Sequence, residues 1–201
     1  MEQARSAHAT FTVIGGPNGA GKSTYTEGLA SSGYPLGEVV NADVIASALP
    51  GPDTTRDARA GRETLRRTRA LILHGQTFTR ETTLSGKEIL RTMREAKEAG
   101  FTVNLFFVGV DSIDISRGRV KRRVERGGHD IPEQVQARRF LRSFGNVVPA
   151  AQTADTTVFV NSMDEQFQSV GMARRGVMTW RAELPGLHWM DRCAQGLELP
   201  N

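Results

Sequence analysis

The sequence predicts an α/β fold, a parallel sheet of about five strands flanked by helices. Three observations carry this. Short apolar runs rich in Val, Ile, Phe and Thr alternate with helical stretches of 10–15 residues as far as about residue 160, the pattern of successive βαβ units. A glycine-rich loop joins the first of these strands to the first helix. The 201 residues, 38% hydrophobic and 24% charged, suit a single globular domain with a sizeable core, and the tail after about residue 162 reads as a C-terminal extension.

Taken in order, Thr10–Gly15 reads as a buried strand and Lys22 to Ala30 as a helix. Glu38–Asn41 is a second strand, ending at Ala42-Asp43. Arg56 to Leu73 has helical spacing, Thr77 to Thr82 is a third strand, and Gly86 to Ala99 is a helix closed by Gly100. Phe101 to Val110 is the most apolar strand. Helices follow over 112–126 and 132–144, then a fifth strand from Asp155 to Val160. Beyond Asn161 the pattern weakens: Gln168 to Trp180 reads as a β-hairpin, and Trp180 and Trp189 are expected to pack in a core. The longest apolar run, about six residues, is far below the roughly 20 that span a bilayer, so no membrane partner is expected. No signal-like N-terminus is present, and Cys193, the sole cysteine, leaves no intramolecular disulfide; both point to the cytoplasm.

Gly16-Pro17-Asn18-Gly19-Ala20-Gly21-Lys22-Ser23, followed by Thr24, fits G-x-x-x-x-G-K-[ST] between a strand and a helix. Glycines let backbone N–H groups turn inward around a β-phosphate, and the helix N-terminus adds its positive end. Lys22 is placed to reach the β/γ oxygens and the Ser23 hydroxyl to ligate Mg²⁺. The expected ligands are ATP and Mg²⁺, and the fold class narrows to the P-loop NTPase or kinase type.

Ligands of an open parallel sheet sit beyond the carboxyl ends of its strands. Two carboxylates are expected there, Asp43 and Glu81. Asp43 can accept the proton of an acceptor hydroxyl, or it can merely cap the helix that follows. Glu81, followed by Thr82 and Thr83, can serve the Mg²⁺ shell or the acceptor's hydroxyls, or be a plain strand-end acid. From Ser116 to Arg142 there are nine basic and three acidic residues, a local +6 in a chain of net +4. Arg119, Arg122, Arg123 and Arg126 share one helical stripe, suited to clamp a γ-phosphate as an Arg-rich lid, or else a solvated face. Arg62, Arg66, Arg67 and Arg69 read as surface residues. His129, in the connection Gly127-Gly128-His129-Asp130, is a turn residue or a substrate or phosphate contact.

The P-loop, Asn41-Ala42-Asp43, Glu81-Thr82-Thr83-Leu84-Ser85-Gly86 and the Arg119-to-Arg142 segment together resemble the zeta-toxin family of P-loop kinases, over about residues 10–160. That resemblance implies phosphorylation of a hydroxyl of UDP-N-acetylglucosamine and restraint by a small helical antitoxin that blocks the ATP site. It implies Lys22 as the phosphate-binding lysine and Asp43 as the base. It also implies Glu81 and Thr83 at the amino sugar, with Arg119 and Arg123 in the stretch that supplies the phosphate clamp. The better-studied toxins are longer, and the weakly patterned tail departs from them. Two other functions fit the same loop: a nucleic-acid 5′-hydroxyl kinase and a non-catalytic nucleotide-binding module. Few aromatics (6%) are available to stack bases, which disfavours nucleic acid.

Overall fold

In the computed structural model, residues 9–127, 130–162 and 166–198 are described. Chain order is β1 (Thr10–Gly15), α1 (Lys22–Ser31), β2 (Glu38–Asn41), α2 (Ala42–Ser47), α3 (Asp53–Leu73), β3 (Phe78–Thr82), α4 (Lys87–Glu98) and β4 (Thr102–Gly109). There follow α5 (Ile113–Glu125), α6 (Glu133–Thr153), β5 (Thr156–Asn161), β6 (Gln168–Arg174), β7 (Val177–Arg181) and α7 (His188–Gln195). The strands form one sheet in the order β2-β3-β1-β4-β5-β6-β7. Pairing from β2 through β5 is parallel; β6 and β7 join antiparallel.

Successive core residues of the parallel strands point to opposite faces, and both faces are covered. Val13 and Phe107 belong to the larger apolar cluster, whereas their neighbours Ile14 and Val108 belong to the smaller. Stacked rings of Phe11 and Phe78, 4.3 Å between centroids, sit in the larger one. The order places β1 between β3 and β4, so the chain leaves β1 toward one side and later returns to the other. The crevice at that reversal, beyond the strand ends, is where such sheets bind ligands. Register aligns Gly15 with Thr82 and Asn41 with Glu81 at one level.

Three expectations need correction. The sheet has seven strands rather than five, because the hairpin expected over 168–180 extends it through β5. Helix α6 runs to Thr153 rather than stopping near 144. Pro149 lies inside it, and buried Val147, Ala150 and Ala151 supply tertiary packing that offsets the loss of a helical hydrogen bond. Trp189 is fully buried as expected, but Trp180 is 48% exposed on the last strand.

Trp189 fills a place that Gly109 leaves open: a Cβ at Gly109 would lie 2.6 Å from the indole ring. The ring also contacts Phe107, at 5.8 Å between centroids. Trp189→Ala is therefore expected to cost about 3–5 kcal/mol, seen as a lower urea midpoint with little change in slope.

Candidate active site

The loop after β1 depends on two glycines. Gly16 has φ 149°, and a Cβ there would lie 2.2 Å from the Val108 carbonyl oxygen. Gly19 has φ 70°, with the Ser116 carbonyl oxygen 2.5 Å from the same ideal position. Helix α5 thus packs against the loop, and Ser116 Oγ donates to the Asn18 carbonyl at 2.6 Å. Gly21 precedes α1 in a left-handed conformation, and Lys22 opens the helix. Lys22 Nζ donates to the Pro17 carbonyl at 2.9 Å.

Glu81, at the end of β3 and 9% exposed, accepts two hydrogen bonds on Oε2: from Ser23 Oγ at 2.9 Å and Asn41 Nδ2 at 2.8 Å. It is a buried junction, not an exposed strand-end acid. Asn41 Oδ1 in turn accepts from the Asp43 and Val44 N–H groups, so Asn41 caps α2. The capping alternative for Asp43 is therefore overturned; its exposed carboxylate lines the cavity beside the loop. Thr83 and Ser85 pair through their hydroxyls at 2.8 Å. Between them, buried Leu84 is held at φ 56°, its N–H bonded to Thr82 Oγ1 and its carbonyl to Asn146 Nδ2 on α6.

This cavity, about 450 Å³, brings together Lys22, Ser23, Asp43, Glu81, Thr83 and the arginines Arg119, Arg123 and Arg139. An adjoining cavity of about 620 Å³ shares Gly21, Thr24, Arg119 and Arg123, and adds Arg122, Arg126 and Phe167. The four-arginine stripe is thus split. Arg119 bonds the Ser162 hydroxyl (3.0 Å), the Ser162 carbonyl and the Gly19 carbonyl (3.4 Å), which ties α5 to the connection after β5. Arg123 and Arg139 instead lie close enough to Lys22 for their charges to oppose its own. Arg66 and Arg67 pair with Glu63 on the surface of α3, and Arg62 and Arg69 also face outward. His129 lies outside the described residues. Arg139 was one of the nine basic residues of 116–142 with no role of its own, and only the packing of α6 brings it to the loop. Asn41 and Phe167 were likewise assigned no role.

Burial pushes the Lys22 ammonium down to about 8, against the pull of Glu81 and Asp43, with Arg123 and Arg139 adding to the depression. Below pH 8 Lys22 is charged and ready for phosphate. Above it, binding must first take up a proton, so affinity for a triphosphate should fall as pH rises through about 8, by up to about tenfold per unit. Calorimetric titration with ATP at pH 7 and pH 9, each in two buffers of different ionisation heat, should show much greater proton uptake at pH 9. Equal uptake at both would refute it.

Ser23 Oγ and Glu81 Oε2 form a pair of hard oxygens facing the loop, the donor set Mg²⁺ prefers. Among the described residues no cluster of three or more His, Cys, Asp or Glu side chains could cage a metal. Among those residues, too, no helix is long and apolar enough to cross a membrane.

The family described as an AAA domain matches residues 11–146. An uncharacterized protein of Haemophilus influenzae is 36% identical over 127 residues, 62% of this chain and 88% of that protein. Among solved structures, the AvrRxo1-ORF1:AvrRxo1-ORF2 complex with sulphate ions superposes with a TM-score of 0.70 at 14% identity. The match covers 94% of this chain, which spans only 64% of that one; the complex with ATP gives the same figures. The PezAT chromosomal toxin–antitoxin system of Streptococcus pneumoniae matches at TM-score 0.63 and 16% identity, over 95% of this chain and 85% of that one. The Pnkp1/Rnl/Hen1 RNA repair complex matches at 0.55 and 17%, over 73% and 48%. At these identities the likeness is one of fold.

Proposed function

The chain belongs to this family of AAA domains and has the P-loop kinase-like fold, and from that premise we propose that it transfers the γ-phosphoryl group of ATP to a hydroxyl of a nucleotide-linked sugar. The observation that carries this reading is a single cavity in which Asp43 faces the phosphate loop while Lys22, Arg123 and Arg139 gather positive charge. Asp43 orients the acceptor hydroxyl and takes its proton as the oxygen attacks the γ-phosphorus. The bond to the β-phosphate oxygen breaks and ADP leaves. Lys22 and the two arginines offset the charge spread over the transferring oxygens. Ser23 and Glu81 would hold Mg²⁺, which when bound neutralises phosphate charge.

The zeta-toxin motifs support UDP-N-acetylglucosamine as acceptor, and they support action as a toxin restrained by a small helical antitoxin. The PezAT neighbour, a toxin–antitoxin system, is consistent with that partner. The RNA repair neighbour favours the rival of a nucleic-acid 5′-hydroxyl kinase.

The test is ATP turnover with Mg²⁺, with and without UDP-N-acetylglucosamine, and mass spectrometry of the products. A sugar nucleotide heavier by one phosphoryl group is expected. Turnover only with a 5′-hydroxyl oligonucleotide, falling steeply with salt, would move the assignment to the rival. ATP binding without turnover on any acceptor would favour a regulatory module.

A further inference from the structure

Strand β3 gives way to α4 through the turn Thr83-Leu84-Ser85-Gly86, and the middle of that turn is strained. Leu84 has φ 56°, in the left-handed region that is unfavourable for any residue with a Cβ. Among the described residues the other non-glycine residue of positive φ is Arg175, which sits beside Gly176 in the short turn between β6 and β7. Such a conformation persists only where the surroundings hold it, and it gathers where the strain positions something.

Three contacts hold Leu84. Its side chain is fully buried in the larger apolar cluster. Its N–H donates to Thr82 Oγ1 at 3.1 Å. Its carbonyl accepts from Asn146 Nδ2 at 2.8 Å, a bond that reaches the turn from α6, sixty-two residues along the chain. Thr83 and Ser85 flank Leu84, and both line the Asp43 cavity. With Leu84 anchored in the core, its two neighbours turn to the other side, where their hydroxyls lie 2.8 Å apart. One hydroxyl donates to the other, so the pair keeps one free O–H and its remaining lone pairs. That suits a neutral sugar hydroxyl or amide, unlike the phosphate side, where Lys22, Arg123 and Arg139 gather charge.

Asn146 is half-buried and does not line the cavity; it touches the turn through the Leu84 carbonyl. Arg139, two helical turns earlier on the same face of α6, does line the cavity. One helix face thus carries both a phosphate-side cation and the brace of the Thr83–Ser85 turn. We infer that Asn146 is a positioning residue for the acceptor. By bonding the Leu84 carbonyl it holds the turn in its left-handed form, and so keeps the Thr83 and Ser85 hydroxyls set to receive an uncharged group of the sugar beside Asp43. The inference rests on the phosphotransfer reading for the identity of that ligand, and goes beyond it in naming what sets the site.

Asn146→Leu removes the amide but keeps its size and favours the helix, so the fold is expected to survive. Calorimetry on protein loaded with Mg-ADP would use UDP-N-acetylglucosamine as the probe. Asn146→Leu should weaken its binding roughly tenfold, while Mg-ADP affinity stays within about twofold. Asn146→Gln, which keeps an amide donor, should recover most of the loss. The decisive measurement is a cycle with Thr83→Val and Ser85→Ala made together. In that background Asn146→Leu should have little further effect, because it acts through those two hydroxyls; a merely structural residue would subtract its full share from either background. The assignment is overturned if Asn146→Leu binds the sugar nucleotide like wild type, weakens Mg-ADP as much, or adds in full to the hydroxyl variant. It is overturned too if wild-type protein does not bind UDP-N-acetylglucosamine. Selective, non-additive weakening with no phosphorylated product would sink the phosphotransfer reading and leave the positioning role standing. Product formed by Asn146→Leu with wild-type KM and kcat would do the reverse.

Discussion

Alanine at Arg123 or Arg139 should slow phosphoryl transfer by roughly 10³- to 10⁵-fold, the range of arginines that stabilise a transferring phosphoryl group. Both line the cavity over the phosphate loop, and both are near enough to Lys22 to depress its pKa. Lys22 feels the repulsion of both arginines as well as the attraction of Glu81 and Asp43, and phosphate charge would add a further favourable partner for the three cations. Their contributions should be strongly non-additive, because each orients the same oxygens: the double variant should be little slower than the worse single one. Arg119→Ala should act differently. Its donors bond Ser162 and Gly19, and it borders the second cavity, so its loss should raise KM for ATP more than it lowers kcat. Steady-state kinetics on the three single variants would decide. Near-wild-type kcat in both Arg123→Ala and Arg139→Ala would remove them from the phosphate clamp.

Asp43→Asn should lower kcat by roughly 10²- to 10⁴-fold while Mg-ATP affinity stays within a factor of two or so. The geometry makes this a clean experiment. Since Asn41 caps α2 with its own side chain, the exposed Asp43 carboxylate supplies no cap hydrogen bond and gives α2 only a first-turn charge. Stability should change by no more than about 0.5 kcal/mol, as for an ordinary surface substitution. Asn41→Ala, by contrast, removes a cap worth about 1 kcal/mol and a donor to Glu81. Loss of turnover with an unchanged melting curve in Asp43→Asn would separate chemistry from folding; retained turnover would transfer the base role elsewhere.

The parallel sheet and the loop were legible because they rest on local signals. β-Branched runs, helical periodicity and a fixed glycine spacing all act within a few residues of one another. The hairpin was legible as a hairpin, but its attachment to β5 was not, since pairing across a sheet depends on which edge is open after everything else has folded. Helix α6 outran its expected end because burial of Val147, Ala150 and Ala151 is a tertiary gain invisible at Pro149. In the site, the position of Glu81 at the end of one strand and of Asp43 just past another was enough to expect both carboxylates beside the loop. The tie of Arg119 to Ser162 was not legible, because that residue lies forty-three residues away in sequence. Arg139 reaches the loop only through the packing of a different helix.

The Glu81 junction has a thermodynamic consequence. One carboxylate oxygen receives Ser23 from the phosphate loop and Asn41 from the cap of α2, the helix that carries Asp43. Anything that draws Ser23 Oγ away from Glu81 strips the carboxylate of one donor and leaves Asn41 as its remaining side-chain bond. Occupancy at the loop and the set of α2 are therefore linked variables sharing a coupling free energy. By reciprocity, whatever factor nucleotide contributes to affinity at Asp43, a ligand at Asp43 must return to nucleotide. A thermodynamic box closed on those two ligands would measure how tightly one oxygen atom joins the two halves of the cavity.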